Sequence, residues 1–270
     1  MDWSHMPDLS ELTVAGPPVP GAQVVRRIAL LLRLVGRDPN GSQLSDIVRD
    51  SGLTRPTVYR LLNSLAAEGL LVLDDRSHTW RYGPEIFVMG TVAAPRYPIE
   101  ELARPALQRL ADATGESAFL SIRRGTETVC LMREEGSFPV RSFVLHEGVR
   151  FPLGVASAGM AILSALTDDE VEQLLQADPA LAERWGEQNS AEHIRAHVAR
   201  TRERGFAVNP GLILEGSWGM GAAVFDRAGR PAWALSLTGI EPRFRDDRQD
   251  FLGGLLVQEA ALLTARLAEL

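Results

Sequence analysis

Residues 52–71 read GLTRPTVYRLLNSLAAEGLL, and this stretch decides the fold of the N-terminal third of the chain. It predicts a helix that begins at Thr54, where Pro56 is tolerated because the amides of a first turn have no intrahelical acceptor to lose. At about 100° per residue, one arc of this helix gathers the apolar side chains Val58, Leu61, Leu62 and Leu65. The opposite arc carries Arg60 and Asn63. One face is therefore expected to pack, and the other offers a guanidinium and a carboxamide to a partner.

The elements on either side complete a supersecondary motif. Apolar positions at helical spacing predict a first helix over residues 24–36, and a shorter second helix follows, capped by Ser42 or Ser45. After the third helix, residues 70–73 and 79–82 have strand character and are separated by a polar turn. Helix, turn, helix and hairpin in this order predict a winged helix-turn-helix, in which the hairpin is the wing.

A proline-interrupted segment then marks a domain boundary. Residues 85–91 have helical spacing, and Pro95 and Pro98 stop any continuous helix. We therefore expect four parts: a flexible tail over 1–20, a winged helix-turn-helix domain over 21–83, a linker helix and boundary over 84–97, and a second domain over 98–270.

The second domain alternates strand and helix patterns. Helices are expected over 98–114, 157–166, 168–176, 191–204 and 246–269, with Thr167 and Glu170 as a capping box and Ser190 as a further cap. Strands are expected over 118–123, 128–133, 140–145, 206–209, 220–225 and 232–238. Such a mixture predicts an antiparallel sheet with helices packed on it, so the fold class is α+β.

Several stretches carry a family resemblance. VVRRIALLLRLV at 24–35, residues 52–71 and WRYGPEIFVMG at 80–90 resemble the DNA-binding domain of the isocitrate lyase regulator (IclR) family. Residues 148–166 and 204–239 resemble the effector-binding domain of that family, which is related in fold to GAF sensory domains. The resemblance implies a bacterial transcription regulator, with repressors among its relatives, that acts as a homodimer or tetramer on a palindromic operator and responds to a small molecule.

The third helix and the wing supply the candidate DNA contacts. The residues expected to enter or border the major groove are Arg55, Thr57, Tyr59, Arg60 and Asn63. We expect Arg60 to donate a bidentate pair to guanine and Asn63 to read adenine. Arg76 at the wing tip, with Arg81 as a weaker candidate, is expected to contact the DNA backbone or the minor groove.

A second set of residues predicts an effector pocket. Ser157, Ala158 and Gly159 open a helix, so free amides there can receive a carboxylate with help from the helix dipole. Ser236 and Thr238 lie two apart on a strand and face one side, although ordinary strand packing explains them as well. By resemblance, the pocket-lining positions are Leu153, Ala158, Gly159, Gly219, Ser236 and Thr238.

Two departures from the family pattern bear on the ligand. Gly219 stands where members that bind small oxo-acids carry a cysteine, and residues 209–214 (NPGLIL) replace acidic residues of the preceding loop. These changes reduce the polar contacts available. The hypothesis is therefore a less polar effector, an aromatic or aliphatic acid, whose carboxylate meets the amides of Ala158 and Gly159.

Composition and charge limit the class of protein and its location. The formal net charge is −7, which argues against a chain that coats nucleic acid everywhere, although residues 21–93 hold nine Arg against seven acidic residues. Cys130 is the single cysteine and lies in an apolar run, so a buried thiol in a reducing cytoplasm is expected. The first twenty residues have no cationic segment followed by an apolar stretch, so export is not expected, and no segment approaches the roughly 18 apolar residues of a membrane helix.

An enzyme and a binding module are the two alternatives to a regulator. An enzyme needs a nucleophile with a base or a metal cluster, and neither pattern is present. His193 and His197 have the i, i+4 spacing of helical zinc sites, but HIRAH lacks the glutamate of HExxH. No catalytic residue, metal or cofactor is therefore predicted. A GAF-like small-molecule binding or scaffold module without a DNA function remains the alternative, and it would recover no DNA from genomic fragments.

Overall fold

The computed structural model describes residues 21–38 and 40–269, which form two units that divide between Pro98 and Ile99. The fold class is α+β, with helices and a small sheet in the N-terminal unit and a larger antiparallel sheet in the C-terminal unit. The flexible tail expected over residues 1–20 lies outside the described residues.

The N-terminal unit is a winged helix-turn-helix. Its elements are α1 (Gln23–Val35), β1 (Ser42–Gln43), α2 (Leu44–Ser51), α3 (Arg55–Ala67), β2 (Leu71–Asp74) and β3 (Thr79–Tyr82). The three strands form an antiparallel sheet in the order β1-β3-β2. The turn between α2 and α3 contains Gly52, whose φ of 63° lies in the left-handed region that favours glycine.

The apolar arc of α3 packs into the core of this unit as its period predicts. Val58 and Leu62 are completely buried, together with Leu31 of α1 and Ile47 of α2. The prediction that Ser42 or Ser45 caps α2 is wrong, because the helix begins after Gln43 and no side chain caps it. Ser42 belongs instead to β1, and its Oγ donates to the carbonyl of Leu34 at 3.0 Å.

A short apolar helix follows the wing. This helix, α4 (Pro84–Ala93), begins at a proline and continues into one 3-10 turn over Ala94–Arg96. None of its residues is buried, and Phe87 and Val92 are 77% and 75% exposed. The helix therefore presents apolar side chains that this chain does not cover within the N-terminal unit.

The C-terminal unit is built on one six-stranded sheet. Its helices are α5 (Ile99–Thr114), α6 (Ser157–Ser164), α7 (Asp168–Ala177), α8 (Leu181–Trp185), α9 (Ala191–Arg204) and α10 (Asp246–Ala268). Its strands are β4 (Ser117–Arg124), β5 (Glu127–Glu134), β6 (Arg150–Pro152), β7 (Ala207–Pro210), β8 (Ser217–Phe225) and β9 (Pro231–Ile240). The strand order is β6-β5-β4-β9-β8-β7, and every neighbouring pair is antiparallel.

The sheet separates two apolar cores. On one face, Leu235 and Leu237 of β9 pack with α5 and α10, and on the other, Ala234 packs with α6 and α9. By length and composition alone, Arg248–Ala268 within α10 is apolar enough to cross a membrane, contrary to the expectation that no segment approaches such a span. Its Leu252 and Leu256 are completely buried in the first core, so α10 is a core helix of this unit.

Two local predictions in this unit had different outcomes. The capping box at the start of α7 is confirmed, because Thr167 and Glu170 exchange side-chain and backbone hydrogen bonds. The strand predicted over residues 140–145 is wrong. The edge of β5 that such a strand would need is taken instead by residues 148–152, where Cys130 N donates to Val149 O at 3.0 Å and β6 continues the pairing.

Candidate functional site

The outer face of α3 is exposed as a surface for recognition. Arg55, Arg60 and Asn63 are exposed, and Tyr59 is 55% exposed, while Thr57 is half-buried. The Thr57 hydroxyl forms a hydrogen bond of 2.9 Å with the hydroxyl of Thr54, which precedes the helix. Asn63 Nδ2 donates one amide hydrogen to the carbonyl of Tyr59 at 2.8 Å, and the side chain is exposed.

The arginines of the N-terminal unit divide into paired and unpaired sets. Arg37 and Arg49 form ion pairs with acidic residues of α2. Within the described part of the chain, no ion pair is recorded for Arg55, Arg60 or Arg76. A guanidinium without an acidic neighbour is available to phosphate or to a guanine edge. Arg55 and Arg60 lie on α3, and Arg76 lies in the turn of the wing.

The wing turn is ordered by one carboxylate. Asp74 Oδ1 accepts from the backbone N–H groups of Arg76 at 2.9 Å and Ser77 at 3.1 Å. These hydrogen bonds hold the pKa of Asp74 below its ordinary value. Asp74 also pairs with Arg81 at 3.4 Å, which makes Arg81 less available than Arg76 for DNA.

A narrow cavity lies on the α6 side of the C-terminal sheet. Its apolar walls come from loop 135–149, strand β6 and loop 211–216, and they include Val144, Leu145, Phe151 and Ile213. Its free volume is about 30 Å³. Four of the six predicted effector residues line it, namely Ala158, Gly219, Ser236 and Thr238.

The other two predicted residues lie behind the cavity wall. Leu153 is buried in the core between the sheet and α6, and it does not line the cavity. A Cβ on Gly159 would stand 3.3 Å from the Cα of Leu153, so the glycine lets the 152–154 backbone approach α6. Their position supports α6, and a direct effector contact by either residue stays a prediction.

Polar groups without partners converge on one end of the cavity. Among the described residues, Ser236 Oγ and Thr238 Oγ1 are buried and have no hydrogen-bond partner. No side chain caps α6, so the N–H groups of its first turn are also unpaired by intrahelical bonds. Buried polar atoms without partners are uncommon and point to a ligand or an ordered water.

Strand register brings the helix and the hydroxyls together. Gly219 pairs with Thr238 across β8 and β9, and Gly221 pairs with Ser236. A Cβ on Gly221 would lie 2.8 Å from the carbonyl oxygen of Ser157, and one on Gly219 would lie 3.0 Å from Ser157 Oγ. The absence of side chains at these two positions therefore lets the start of α6 sit close to Ser236 and Thr238.

Sequence reasoning missed three residues that shape this site. Gly221 admits the start of α6, and Ser121 on β4 adds a further buried hydroxyl to the cavity. Asn209 holds the neighbouring loop, since its Nδ2 donates to Val155 O at 2.7 Å and its Oδ1 accepts from Leu212 N at 2.9 Å. The alternation along residues 117–123 places Ser121 on one face with Phe119, but it does not indicate that this face borders a cavity.

The cavity is electrically neutral in its side chains. Of the described residues that line it, none is Asp, Glu, Arg or His. Cys130 lines it as well, but burial raises the pKa of its thiol to about 12, so the sulfur stays protonated. A negative charge in this cavity would therefore meet amide and hydroxyl dipoles and not a cationic side chain.

The histidines of α9 have local roles. His193 Nδ1 lies 2.7 Å from the hydroxyl of Ser190, and burial lowers the pKa of His197. In the part of the chain that the structure describes, no group of three or more His, Cys, Asp or Glu side chains is placed to hold a metal ion.

Comparison with known proteins finds similarity along both units. Residues 24–75 match the model of the IclR helix-turn-helix domain, and residues 91–264 match that of the bacterial transcriptional regulator IclR C-terminal domain. The HTH-type transcriptional regulator BhcR of Paracoccus denitrificans (strain Pd 1222) is 28% identical over 85% of this chain and 82% of its own length. The HTH-type transcriptional repressor AllR of Salmonella typhi is 28% identical over 89% of this chain and 88% of its own length.

Solved structures share the fold. An IclR homolog from Microbacterium hydrocarbonoxydans, in complex with 4-hydroxybenzoate, superposes with a TM-score of 0.70 at 20% identity. The alignment covers 92% of this chain and all of that chain.

Proposed function

Because the chain belongs to the IclR family of bacterial transcriptional regulators, we propose that it binds a palindromic operator as a homodimer and that an organic acid in its cavity alters operator affinity. It is a DNA-binding regulator with an effector domain, and its family is not enzymatic. A protein of this kind acts on the chromosome, so its proposed location is the bacterial cytoplasm.

The observation that carries the DNA-binding proposal is the unpaired polar face of α3. Arg60 and Asn63 are exposed on this face, and within the described residues Arg60 forms no ion pair, while Val58 and Leu62 on the opposite face anchor the helix. A helix held in this way can enter the major groove, where Arg reads guanine and Asn reads adenine. Arg76 would add a backbone or minor-groove contact from the wing.

Pairing of two chains through α4 is part of the proposal. Phe87, Val88, Met89 and Val92 are exposed on this helix, and no residue of it is buried. In aqueous solution, a helix that is apolar on all sides needs another protein surface to cover it. A second copy of α4 supplies a matching apolar surface, and a two-fold pair of winged helices matches a palindrome with half-sites about one DNA turn apart.

The proposed effector is a largely apolar acid. Its carboxylate would receive hydrogen bonds from the first turn of α6 and from Ser236 and Thr238, with the helix dipole in place of a cation. The rest of the effector molecule would lie against the apolar walls, and an aromatic ring is well suited to this contact. The 4-hydroxybenzoate complex of the M. hydrocarbonoxydans homolog supports an aromatic acid as the class for this chain.

Effector binding is proposed to act on DNA affinity by linkage. A free volume of about 30 Å³ is well below the roughly 150 Å³ of a cavity that admits benzene, so an aromatic acid must move the loops over the cavity. A hydrogen bond of 2.5 Å between Ser142 Oγ and Ser217 Oγ joins loop 135–149 to the start of β8, so movement of this loop would also shift the start of β8. A ligand that favours the widened state changes operator affinity by a coupling of about 1–3 kcal/mol. The name of AllR as a repressor supports repression as the mode of control here.

The test uses operator DNA selected by the purified wild-type protein from genomic fragments. Arg60→Ala is expected to abolish binding to this DNA while the affinity for an aromatic acid stays unchanged. Arg227→Ala, on an exposed turn of the C-terminal unit, is the matched control and should bind DNA normally. Equal operator affinity in Arg60→Ala and wild type would overturn the role of α3, and failure of the wild type to enrich any DNA would favour a binding module without DNA function.

A further inference from the structure

Ser121 adds a further buried hydroxyl to the cavity, on a different strand from Ser236 and Thr238. On the cavity face of the sheet, Phe119 pairs with Ser236 and Ser121 pairs with Ala234, so Ser121 lies one row further along. The residue is 2% exposed and lines the cavity. The side chain borders the cavity, so its hydroxyl can bind a molecule held there.

A β-bulge sets the surroundings of this serine. The register between β4 and β5 passes from Leu120 opposite Met132 to Ser121 opposite Cys130, which leaves one residue of β5 unpaired. The bulge turns Cys130 towards the cavity beside Ser121. The Cys130 thiol donates to the carbonyl of Met132 on its own strand, 3.7 Å away, and therefore does not engage the Ser121 hydroxyl.

The hydroxyl of Thr128, which also lines the cavity, is already engaged. Thr128 Oγ1 donates to the carbonyl of Phe151 at 3.4 Å, which links β5 to β6. In this part of the cavity, the Ser121 hydroxyl is therefore available for a hydrogen bond with a ligand. The intervening wall is apolar, with Val149 and Phe151 among its residues.

The separation between the two polar ends matches one six-membered ring. Ser121 and Ser236 are diagonal neighbours on adjacent antiparallel strands, and the Cα atoms of such pairs lie about 7–8 Å apart. A flat ring with its carboxylate at Ser236 and the start of α6 would direct its opposite carbon towards Ser121. A hydroxyl on that carbon can both donate to and accept from the serine.

We propose that Ser121 is the specificity-determining residue of the effector site and selects aromatic monocarboxylic acids that carry a hydroxyl opposite the carboxylate. This inference rests on the proposed function, because it takes the carboxylate to lie at α6. It adds a second anchor with a separate role: the α6 end binds any aromatic acid, and Ser121 discriminates among them. A methyl group in place of the ligand hydroxyl would leave Ser121 buried and unsatisfied.

Calorimetric titration of the full chain with 4-hydroxybenzoate and 4-methylbenzoate tests the inference, since the two acids have nearly the same shape. Wild type is expected to prefer the hydroxyl compound about tenfold. Ser121→Ala should lose this preference and keep its affinity for 4-methylbenzoate within about twofold. Ser236→Ala should weaken the binding of both acids to a similar extent. Ser164→Ala, a buried serine of α6 outside the cavity, is the control and should retain the preference.

The possible results separate the two proposals. Equal affinity of wild type for both acids, or an unchanged preference in Ser121→Ala, would overturn the role of Ser121 and leave the acid site at α6 intact. Binding of neither acid by a folded wild type would overturn the aromatic effector class and this inference with it. Retained thermal unfolding transitions in all three variants would show that changes in affinity do not come from loss of the fold.

Discussion

Gly221 lies directly against the first turn of α6, where a Cβ at position 221 would stand 2.8 Å from the carbonyl oxygen of Ser157. The contact is with backbone, which cannot rotate away as a side chain would. Because Gly221 pairs with Ser236, any displacement of α6 at this point separates its free amides from the hydroxyl that faces them. The close packing of α6 on β8 at Gly221 therefore sets the distance between the groups proposed to bind the anion.

Gly221→Ala is therefore expected to displace the start of α6 and to lose the effector response. The added methyl group should lower the free energy of unfolding by about 1–3 kcal/mol, as overpacking does, and weaken aromatic acid binding at least about tenfold. Operator binding without effector should persist. Gly254→Ala is the matched control, because a Cβ there meets nothing within 4 Å. Urea denaturation and calorimetry measure both effects, and normal acid binding by Gly221→Ala would contradict the proposed contact.

The exposed helix α4 yields a prediction about assembly. Phe87→Asp and Val92→Asp each place a charge on the surface proposed to pair two chains, so the dissociation constant of the dimer should rise at least about tenfold because a carboxylate resists burial. Operator affinity should fall with it, since both half-sites must be occupied together. Val140→Asp, at another exposed apolar position, serves as the control. Sedimentation velocity and DNA titration that show wild-type behaviour in both α4 variants would exclude α4 as the pairing surface.

Because the thiol of Cys130 is buried, we expect it to react slowly with alkylating reagents in the native state. With a pKa of about 12, the thiol holds about a thousandfold less thiolate at pH 8 than an ordinary cysteine with a pKa of about 8.5. Alkylation by iodoacetamide should therefore be slower by at least that factor in the folded chain than in urea. Comparable rates in the two states would show that the thiol is not buried in the way described.

The same pKa shift gives stability a pH dependence with a definite sign. The native thiol keeps its proton up to about pH 12, whereas the unfolded chain releases it near pH 8.5, so the native state binds more protons in between. The contribution of Cys130 to stability is present below the lower value and is lost as the pH rises, by up to about 1.4 kcal/mol per pH unit. Cys130→Ser lacks this titration, and denaturation of both proteins between pH 8 and 10 should show the difference in slope.

Features set by local periodicity were predictable from the sequence. The packed and exposed faces of α3 follow from a helical period, and the shared orientation of Ser236 and Thr238 follows from strand alternation. The capping box at Thr167 and Glu170 depends on residues three apart and was equally accessible. These properties require no knowledge of which elements meet.

Features set by distant pairings were not predictable in this way. Ser121 enters the cavity because of its register with β9 and a bulge in β5, and Gly221 matters because α6 happens to meet β8 there. The misplaced strand over 140–145 has the same origin, since its place at the edge of β5 is occupied by a segment a few residues later. Single-residue patterns carry no information about such competition.

The neutral lining of the cavity has a consequence for what the protein can sense. Among its described residues, Cys130 is the one with a titratable side chain, and it stays protonated far above any cellular pH. A benzoic-type acid with a pKa near that of other carboxylic acids, about 4, is fully ionised between pH 6 and 8. Neither side of the complex then changes its protonation over that range. Occupancy would follow the concentration of the metabolite and remain indifferent to acid stress, which is a useful separation of signals for a cell that excretes or imports organic acids.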